Sequence, residues 1–386
     1  MFTIRTYNNI AQIGLDEFDA TRFKVGADLD NPNAILLRSQ SLHDIELPSS
    51  VELIVRAGAG TNNIPIEQMA TRGIPVLNTP GANANAVKEL VITGMLLACR
   101  NICHAWQYVT QLKKDDDVHK NVEKQKKQFA GFELPGKTLG IIGLGNIGVK
   151  VANAACALDM KVIGYDPAMT VQNAWELNAN VAQAEQIDDV LAHADFISVH
   201  VPLIEQTKNL IDAAVIKKMK PGAIVLNFAR NGIVDNQALL AGLQSKQIAC
   251  YVCDFPEIEL LDIPNIICLP HLGASTREAE ENCAVMAARQ VMQFLDSGQI
   301  KHSVNFPNVT LAKTHGHRLS VINANVPNMV AQISTVLSDA GLNIIDMINK
   351  SRNDTAYTLI DVDNTVTPSL LDAMRAIEGV IRVKSI

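Results

Sequence analysis

Gly143-Leu-Gly145-Asn146-Ile147-Gly148 is a Gly-x-Gly-x-x-Gly run that follows the apolar stretch Leu139-Gly-Ile-Ile and opens a helical pattern. In that setting the first glycine permits a tight turn and the second lets the backbone approach a pyrophosphate. The third permits close packing of helix on strand. Unpaired N–H groups and the positive end of the helix dipole then suit phosphates. The next apolar run ends in Asp166, 23 residues after Gly143. A carboxylate there accepts hydrogen bonds from ribose hydroxyls and repels a 2′-phosphate, so the expected cofactor is NAD rather than NADP.

Residue types that hold anions and move protons gather after three later apolar runs. These are Asn227-Phe228-Ala229-Arg230-Asn231-Gly-Ile-Val-Asp235, Asp254-Phe-Pro-Glu257-Ile-Glu259 and Pro270-His271-Leu-Gly273-Ala274-Ser-Thr276. Hydride transfer at a 2-hydroxy acid needs three groups besides a nicotinamide. A cation fixes the substrate carboxylate, an acid/base moves the hydroxyl proton, and a carboxylate tunes that base. Arginine, histidine and glutamate are of those types. Each has an ordinary alternative as well: a surface ion pair for Arg230, or a backbone-bonded strand-end histidine at 271.

Such groups must stand at the carboxyl ends of parallel strands, where ligands bind in open α/β sheets. The apolar runs at 34–37, 53–55 and 75–77, with a helix at 66–71, read as a first parallel sheet. A single long helix is expected over 84–112. Strands at 161–165, 196–201, 223–227, 248–254 and 266–269 alternate with helices at 188–193, 205–220 and 237–245 in a second sheet. A helix over 275–295 carries the chain back, and 298–315 is a linker. Residues 316–386 read as a βαββαβ, ferredoxin-like module. The expected fold class is therefore α/β, with two doubly wound parallel-sheet domains and this module. A flavodoxin-like substrate domain takes 1–98 and 288–308, and a Rossmann NAD domain takes 99–287.

Together with His200-Val-Pro202-Leu203 and Thr207, these segments closely resemble the D-2-hydroxyacid dehydrogenase family from about Ala34 to Leu295. The resemblance implies that Arg230 holds the substrate carboxylate and carbonyl. It makes His271 the acid/base and Glu259 the carboxylate paired with it. The stretch between Asp254 and His271 is shorter than is common in the family, which leaves Glu257 as a competing choice. Asn231 stands where the family often has glycine. Cofactor contacts are implied at Gly143, Gly145, Asn146, Ile147, Gly148, Asp166, His200, Pro202, Thr207, Phe228, Ala229, Arg230, Asp254, His271, Gly273 and Ala274. Substrate contacts are implied at Arg38, Ser39, Arg56, Ala57, Gly58 and Asn78, with a rim charge as the alternative for either arginine.

The C-terminal module resembles an ACT-type amino-acid-binding domain, which caps many D-3-phosphoglycerate dehydrogenases within the family. By that resemblance the substrate is the phosphorylated hydroxy acid 3-phosphoglycerate, and serine is the effector. Asn325 and Asn343 match the family's serine-binding asparagines, with Asn323 in place of a histidine and Pro327-Asn328 in place of a Pro-Gly turn. Open alternatives are a module that only oligomerises, a glycerate, hydroxypyruvate or lactate dehydrogenase, and an NAD-sensing corepressor. A homodimer or homotetramer is expected.

The composition is ordinary for a soluble globular protein, with 48% hydrophobic and 19% charged residues and a net charge of −7. No clustered basic face points to nucleic acid: Lys124, Lys126 and Lys127 read as a solvated helix answered by Asp115, Asp116 and Asp117. No apolar run is long enough for a bilayer, and no signal peptide is evident, so a cytoplasmic protein is expected. The seven cysteines read as packing thiols, Cys250 and Cys253 included, because residues three apart on a strand face opposite sides. No metal site is expected.

Overall fold

Ala34-Ile-Leu-Leu and Leu53-Ile-Val-Arg offer solvent almost nothing polar, and both become strands buried on both faces. They sit inside a five-stranded parallel sheet ordered Phe23–Gly26, Phe2–Tyr7, Ala34–Leu37, Leu53–Arg56 and Val76–Leu77. The computed structural model describes residues 1–113 and 117–386. One face of this sheet is covered by the helix Arg277–Ser297, whose Ala284, Ala287, Ala288 and Val291 share a core with Ile4, Leu36 and Val55. The helix Gln12–Leu15 lies close enough to it that a Cβ on Gly14 would meet the Ala284 backbone at 2.5 Å.

A seven-stranded parallel sheet forms the second unit. Its order is Ile266–Cys268, Ile248–Cys253, Ala223–Asn227, Phe196–Val199, Thr138–Ile142, Lys161–Tyr165 and Val181–Gln183. The direction of winding reverses at Thr138–Ile142, so the glycine-rich loop leaves the sheet at its topological switch point.

The C-terminal strands pair antiparallel in the order Ile344–Arg352, Thr355–Val362, His317–Ala324 and Val380–Ser385. The helices Met329–Asp339 and Pro368–Arg375 cover one face, packing Ile333, Leu337, Leu370 and Met374 on Leu319, Val321 and Ile360. Strand alternation sends Ile322, Tyr357 and Leu359 to the other face, where they join the core that holds Phe306 and Leu295. Arg318 and Asp361, both buried, pair at 2.6 Å.

Two compact units result: Met1–Asn83 with Arg277–Ile386, and Ala84–Thr276. These boundaries differ from those expected at 98/99 and 287/288. Val87, Val91, Met95 and Cys99 put the helix Ala84–Cys99 into the core of the second unit, and a Cβ on Gly94 would stand 2.9 Å from the Phe228 ring. The C-terminal sheet groups with the first unit because its second apolar face is buried there.

The expected helix over 84–112 is two, Ala84–Cys99 and Ile102–Thr110, separated where Asn101 takes φ 50°. The expected helix over 205–220 is a 3-10 turn, Glu205–Thr207, and a helix, Ala213–Lys218, capped by Asp212. Asp115 and Asp116 lie outside the described residues. Lys126 pairs with Glu123 at 2.5 Å. Among the described residues no helix is long and apolar enough to cross a membrane, and no group of side chains is suited to a metal.

Candidate active site

Each glycine of the loop has its own structural reason. Gly143 turns at φ 97°, and a Cβ there would lie 2.6 Å from the His200 carbonyl oxygen. Gly148 packs so tightly that a Cβ would reach the Gly143 carbonyl oxygen at 2.0 Å. Gly145, at the start of the helix Asn146–Ala157, faces nothing within 4 Å. That open side lies where backbone N–H groups are unpaired, with Asn146 exposed and Ile147 half-buried beside it, and it suits a pyrophosphate. Asp166 accepts the Leu144 N–H on Oδ2 and the Ala168 N–H on Oδ1, both at 2.8 Å. One lone pair on each oxygen remains for a ribose hydroxyl. The residues present therefore fit NAD.

On the neighbouring strand, Ser198 Oγ and His200 Nε2 lie 2.9 Å apart, while His200 Nδ1 is buried without a partner. Burial pushes the imidazole down to about 4, so it stays neutral near neutral pH. Thr207 donates to the Pro202 carbonyl at 2.5 Å and accepts the Ile204 N–H at 2.9 Å. Its hydroxyl thus closes the loop that presents the exposed Pro202.

The three reactive segments all leave the carboxyl ends of adjacent strands, as their spacing suggests. Phe228 and Ala229 are buried and Arg230 is exposed, its Nη1 donating to the Ala229 carbonyl at 2.7 Å. Asn227 fixes this turn by donating to the Arg230 carbonyl. Asp254, 1% exposed, accepts the N–H groups of Leu272 and Gly273, each at 2.7 Å. Both carboxylate oxygens shape the His271 loop, so Asp254 positions that loop. Its burial pushes the carboxyl up, against the lowering effect of those N–H bonds and of His271. His271 is exposed, adopts φ 56° and packs its ring 5.0 Å from Phe255; Ala274 is exposed just beyond it.

Glu259 is exposed on the 3-10 turn Ile258–Leu260, and among the described residues no hydrogen bond or ion pair joins it to His271. Glu257 is committed elsewhere, accepting from the side chains of Asn231 and Asn236. Asn231, noted in sequence only as a replaced glycine, is thus a partner of Glu257.

The first unit's candidates also follow strand ends. Arg56 Nε donates to the Arg38 carbonyl at 2.9 Å, and a Cβ on Gly58 would crowd Arg56 Nη1 at 2.6 Å. Arg38 pairs with Glu280 at 2.6 Å, a partner 242 residues away that sequence spacing does not reveal. Ala57 is buried, Ser39 receives its shape from Asn8, and Asn78 Nδ2 donates to the Ala59 carbonyl. In the C-terminal sheet Asn323 is buried with Oδ1 unpartnered, and Asn325 Nδ2 donates to the Asn353 carbonyl. Asn343 bonds through its backbone to Asp363, at the opposite end of the strand Thr355–Val362.

A sequence profile described as the D-isomer specific 2-hydroxyacid dehydrogenase NAD binding domain matches residues 92–273. The D-3-phosphoglycerate dehydrogenase of Escherichia coli strain K12 is 34% identical over 364 residues, spanning 90% of this chain and 85% of the relative. That of Haemophilus influenzae is 32% identical over 363 residues, again 90% and 85%. The NAD+-bound 3-phosphoglycerate dehydrogenase structure from Entamoeba histolytica superposes with a TM-score of 0.60 at 26% identity, covering 79% of this chain and 98% of that one. A dinucleotide loop that fits NAD and a kinship running through most of the sequence agree. The protein is an NAD-dependent oxidoreductase, and it belongs to the D-isomer specific 2-hydroxyacid dehydrogenase family.

Proposed function

We propose that the chain oxidises D-3-phosphoglycerate to 3-phosphohydroxypyruvate, the first step of the phosphorylated route to serine. We further propose that serine inhibits it through the C-terminal module, read as an ACT-type domain. The carrying observation is the 34% identity with the Escherichia coli enzyme over 90% of the chain. Both parallel sheets and the linker end by residue 315, so a match of that length extends into the C-terminal module.

The Gly143–Gly148 loop and Asp166 would hold NAD, which would supply the acceptor for the C2 hydride. Arg230 holds the carboxylate and the developing carbonyl through its planar fork of donors. His271 takes the hydroxyl proton, and Glu259 steadies the resulting cation once its turn brings the carboxylate to the ring. Arg38, Ser39, Arg56, Ala57, Gly58 and Asn78 are assigned to the substrate's remaining anionic groups. Glu280 offsets part of the Arg38 charge.

For the effector, Asn323 and Asn325 stand at one end of the antiparallel sheet and Asn343 at the other. Nine residue steps of strand separate Asp354, beside Asn325, from Asp363, beside Asn343, on the order of 30 Å. One serine touching Asn325 and Asn343 together therefore needs residues from two copies of the chain, in keeping with a homodimer or homotetramer.

The test is NADH formation from 3-phosphoglycerate against glycerate and lactate, with and without serine at about 1–10 mM. Preferred turnover of the phosphorylated acid and its loss in serine are expected. Turnover of lactate or glycerate alone overturns the substrate assignment, and undiminished turnover in serine overturns the feedback. Asn343→Ala should raise the serine concentration needed for half-inhibition.

A further inference from the structure

The strands Ile248–Cys253 and Ile266–Cys268 end side by side, and their last residues are direct partners in the parallel ladder. The Cys253 and Cys268 sulfurs lie 3.6 Å apart in a thiol hydrogen bond. Neighbouring strands run about 4.8 Å apart, inside the Cα separation a disulfide tolerates. Both cysteines are free thiols; Cys253 is fully buried and Cys268 is half-buried.

Their position gives the pair a consequence. Cys253 is followed by Asp254, which holds the Leu272 and Gly273 N–H groups, and its own carbonyl accepts the Leu269 N–H at 2.8 Å. Cys268 leads directly into Leu269-Pro270-His271, and the His271 N–H returns to the Leu269 carbonyl at 3.0 Å. The two sulfurs therefore sit beneath the two segments that place the acid/base.

We propose that Cys253 and Cys268 form a reversible intrachain disulfide that lowers turnover by shifting the His271 loop. The oxidant class is a hydroperoxide. The Cys268 thiolate attacks a peroxide oxygen, breaking the O–O bond, and gives a sulfenic acid and one hydroxide that is protonated to water. The Cys253 sulfur then attacks the Cys268 sulfur. The S–O bond breaks as the S–S bond forms, and the hydroxide leaves with the Cys253 proton as a second water. Two electrons pass from the thiols to the peroxide, and an added dithiol reverses the change by exchange.

Cys268 is suited to the attacking role. The hydrogen bond from Cys253 holds its thiol below the ordinary value, against the raising effect of burial, whereas Cys253 is pushed up by the same bond and by burial. Bonding contracts the sulfur separation from 3.6 Å to about 2.05 Å, and a displacement on the order of 1 Å beneath a catalytic group can cost about 10²-fold in rate.

The test uses the full chain with hydrogen peroxide. Trypsin yields one peptide, residues 247–277, carrying Cys250, Cys253 and Cys268. Expected are a loss of two hydrogens from that peptide, fragmentation that places the link between 253 and 268, and a fall in kcat that dithiothreitol restores. Cys268→Ser should keep its initial turnover and lose the dithiothreitol-reversible inhibition, while Cys250→Ser should behave as the wild type. The proposal is overturned if Cys253 and Cys268 both stay titratable after peroxide. It is equally overturned if the disulfide forms with turnover unchanged. Cys268→Ser inactivated reversibly to the same extent as the wild type would also overturn it. Should Cys268→Ser fail to fold, the peptide mass and kcat of the wild type still decide.

Discussion

Replacing Gly145 by alanine adds one methyl at a position where a Cβ meets nothing within 4 Å. The backbone there, φ −71° and ψ −168°, is open to alanine. Losing glycine at a helix start costs up to about 1 kcal/mol. Restricting the unfolded chain returns about 0.4–1 kcal/mol, so stability should change by no more than about 1 kcal/mol either way. The methyl does occupy the face a pyrophosphate must approach. Losing one backbone hydrogen bond to a charged group removes about 1.5–3 kcal/mol, equivalent to roughly 10- to 150-fold in Kd. Gly148→Ala is the opposite case. Its Cβ would sit 2.0 Å from the Gly143 carbonyl oxygen, so the helix start must move by more than about 1 Å, at about 1–3 kcal/mol of overpacking. Calorimetric titration with NAD, beside thermal unfolding, separates the two. Gly145→Ala should bind NAD at least about tenfold more weakly with Tm shifted by no more than about 2 °C, and Gly148→Ala should lose several degrees. Unchanged NAD affinity in Gly145→Ala would refute the assignment of that open face to the cofactor.

His271→Ala should lower turnover by about 10²–10⁴-fold while NAD affinity stays nearly constant; near-normal turnover removes His271 from proton transfer. Asp361→Asn leaves Arg318, 2% exposed, without its countercharge and should cost about 3–5 kcal/mol in urea unfolding. A change under about 1 kcal/mol would show that this pair is replaceable. Burial raises the Asp361 carboxyl, but Arg318 and Thr314 win and hold it below its ordinary value. Its stabilisation is therefore full above the unfolded value and fades as pH falls through the folded one. His200, buried neutral with its pKa at about 4, should make the fold lose stability as pH falls from 6.5 toward 4. His200→Gln should flatten that part of the urea midpoint profile, and an unaltered slope would point to other groups.

The sites that could be read from sequence are local in kind. A glycine needed for a turn, a carboxylate at the next strand's end, and an arginine or histidine just past an apolar run each depend on a few neighbouring residues. Those spacings were enough to expect the parallel sheets, the NAD loop and the βαββαβ module. What escaped depends on long-range packing. The helix starting at Ala84 looks like an exit from the first domain until Val87, Val91 and Met95 are seen sharing a core with Phe228 and Val252. Glu280 reaches Arg38 across 242 residues, and Glu257 is taken up by Asn231 and Asn236.

The sequence by itself determined the chemistry available: a dinucleotide loop, a discriminating Asp166, and an arginine and a histidine at strand ends. Tertiary structure alone decided how those groups are held. It made Asp254 the clamp of the His271 loop, because its two oxygens meet backbone N–H groups 18 and 19 residues away. It also set Cys253 against Cys268. Strand alternation sends Cys250 and Cys253 to opposite faces, whereas register between neighbouring strands brings residues 15 apart into contact.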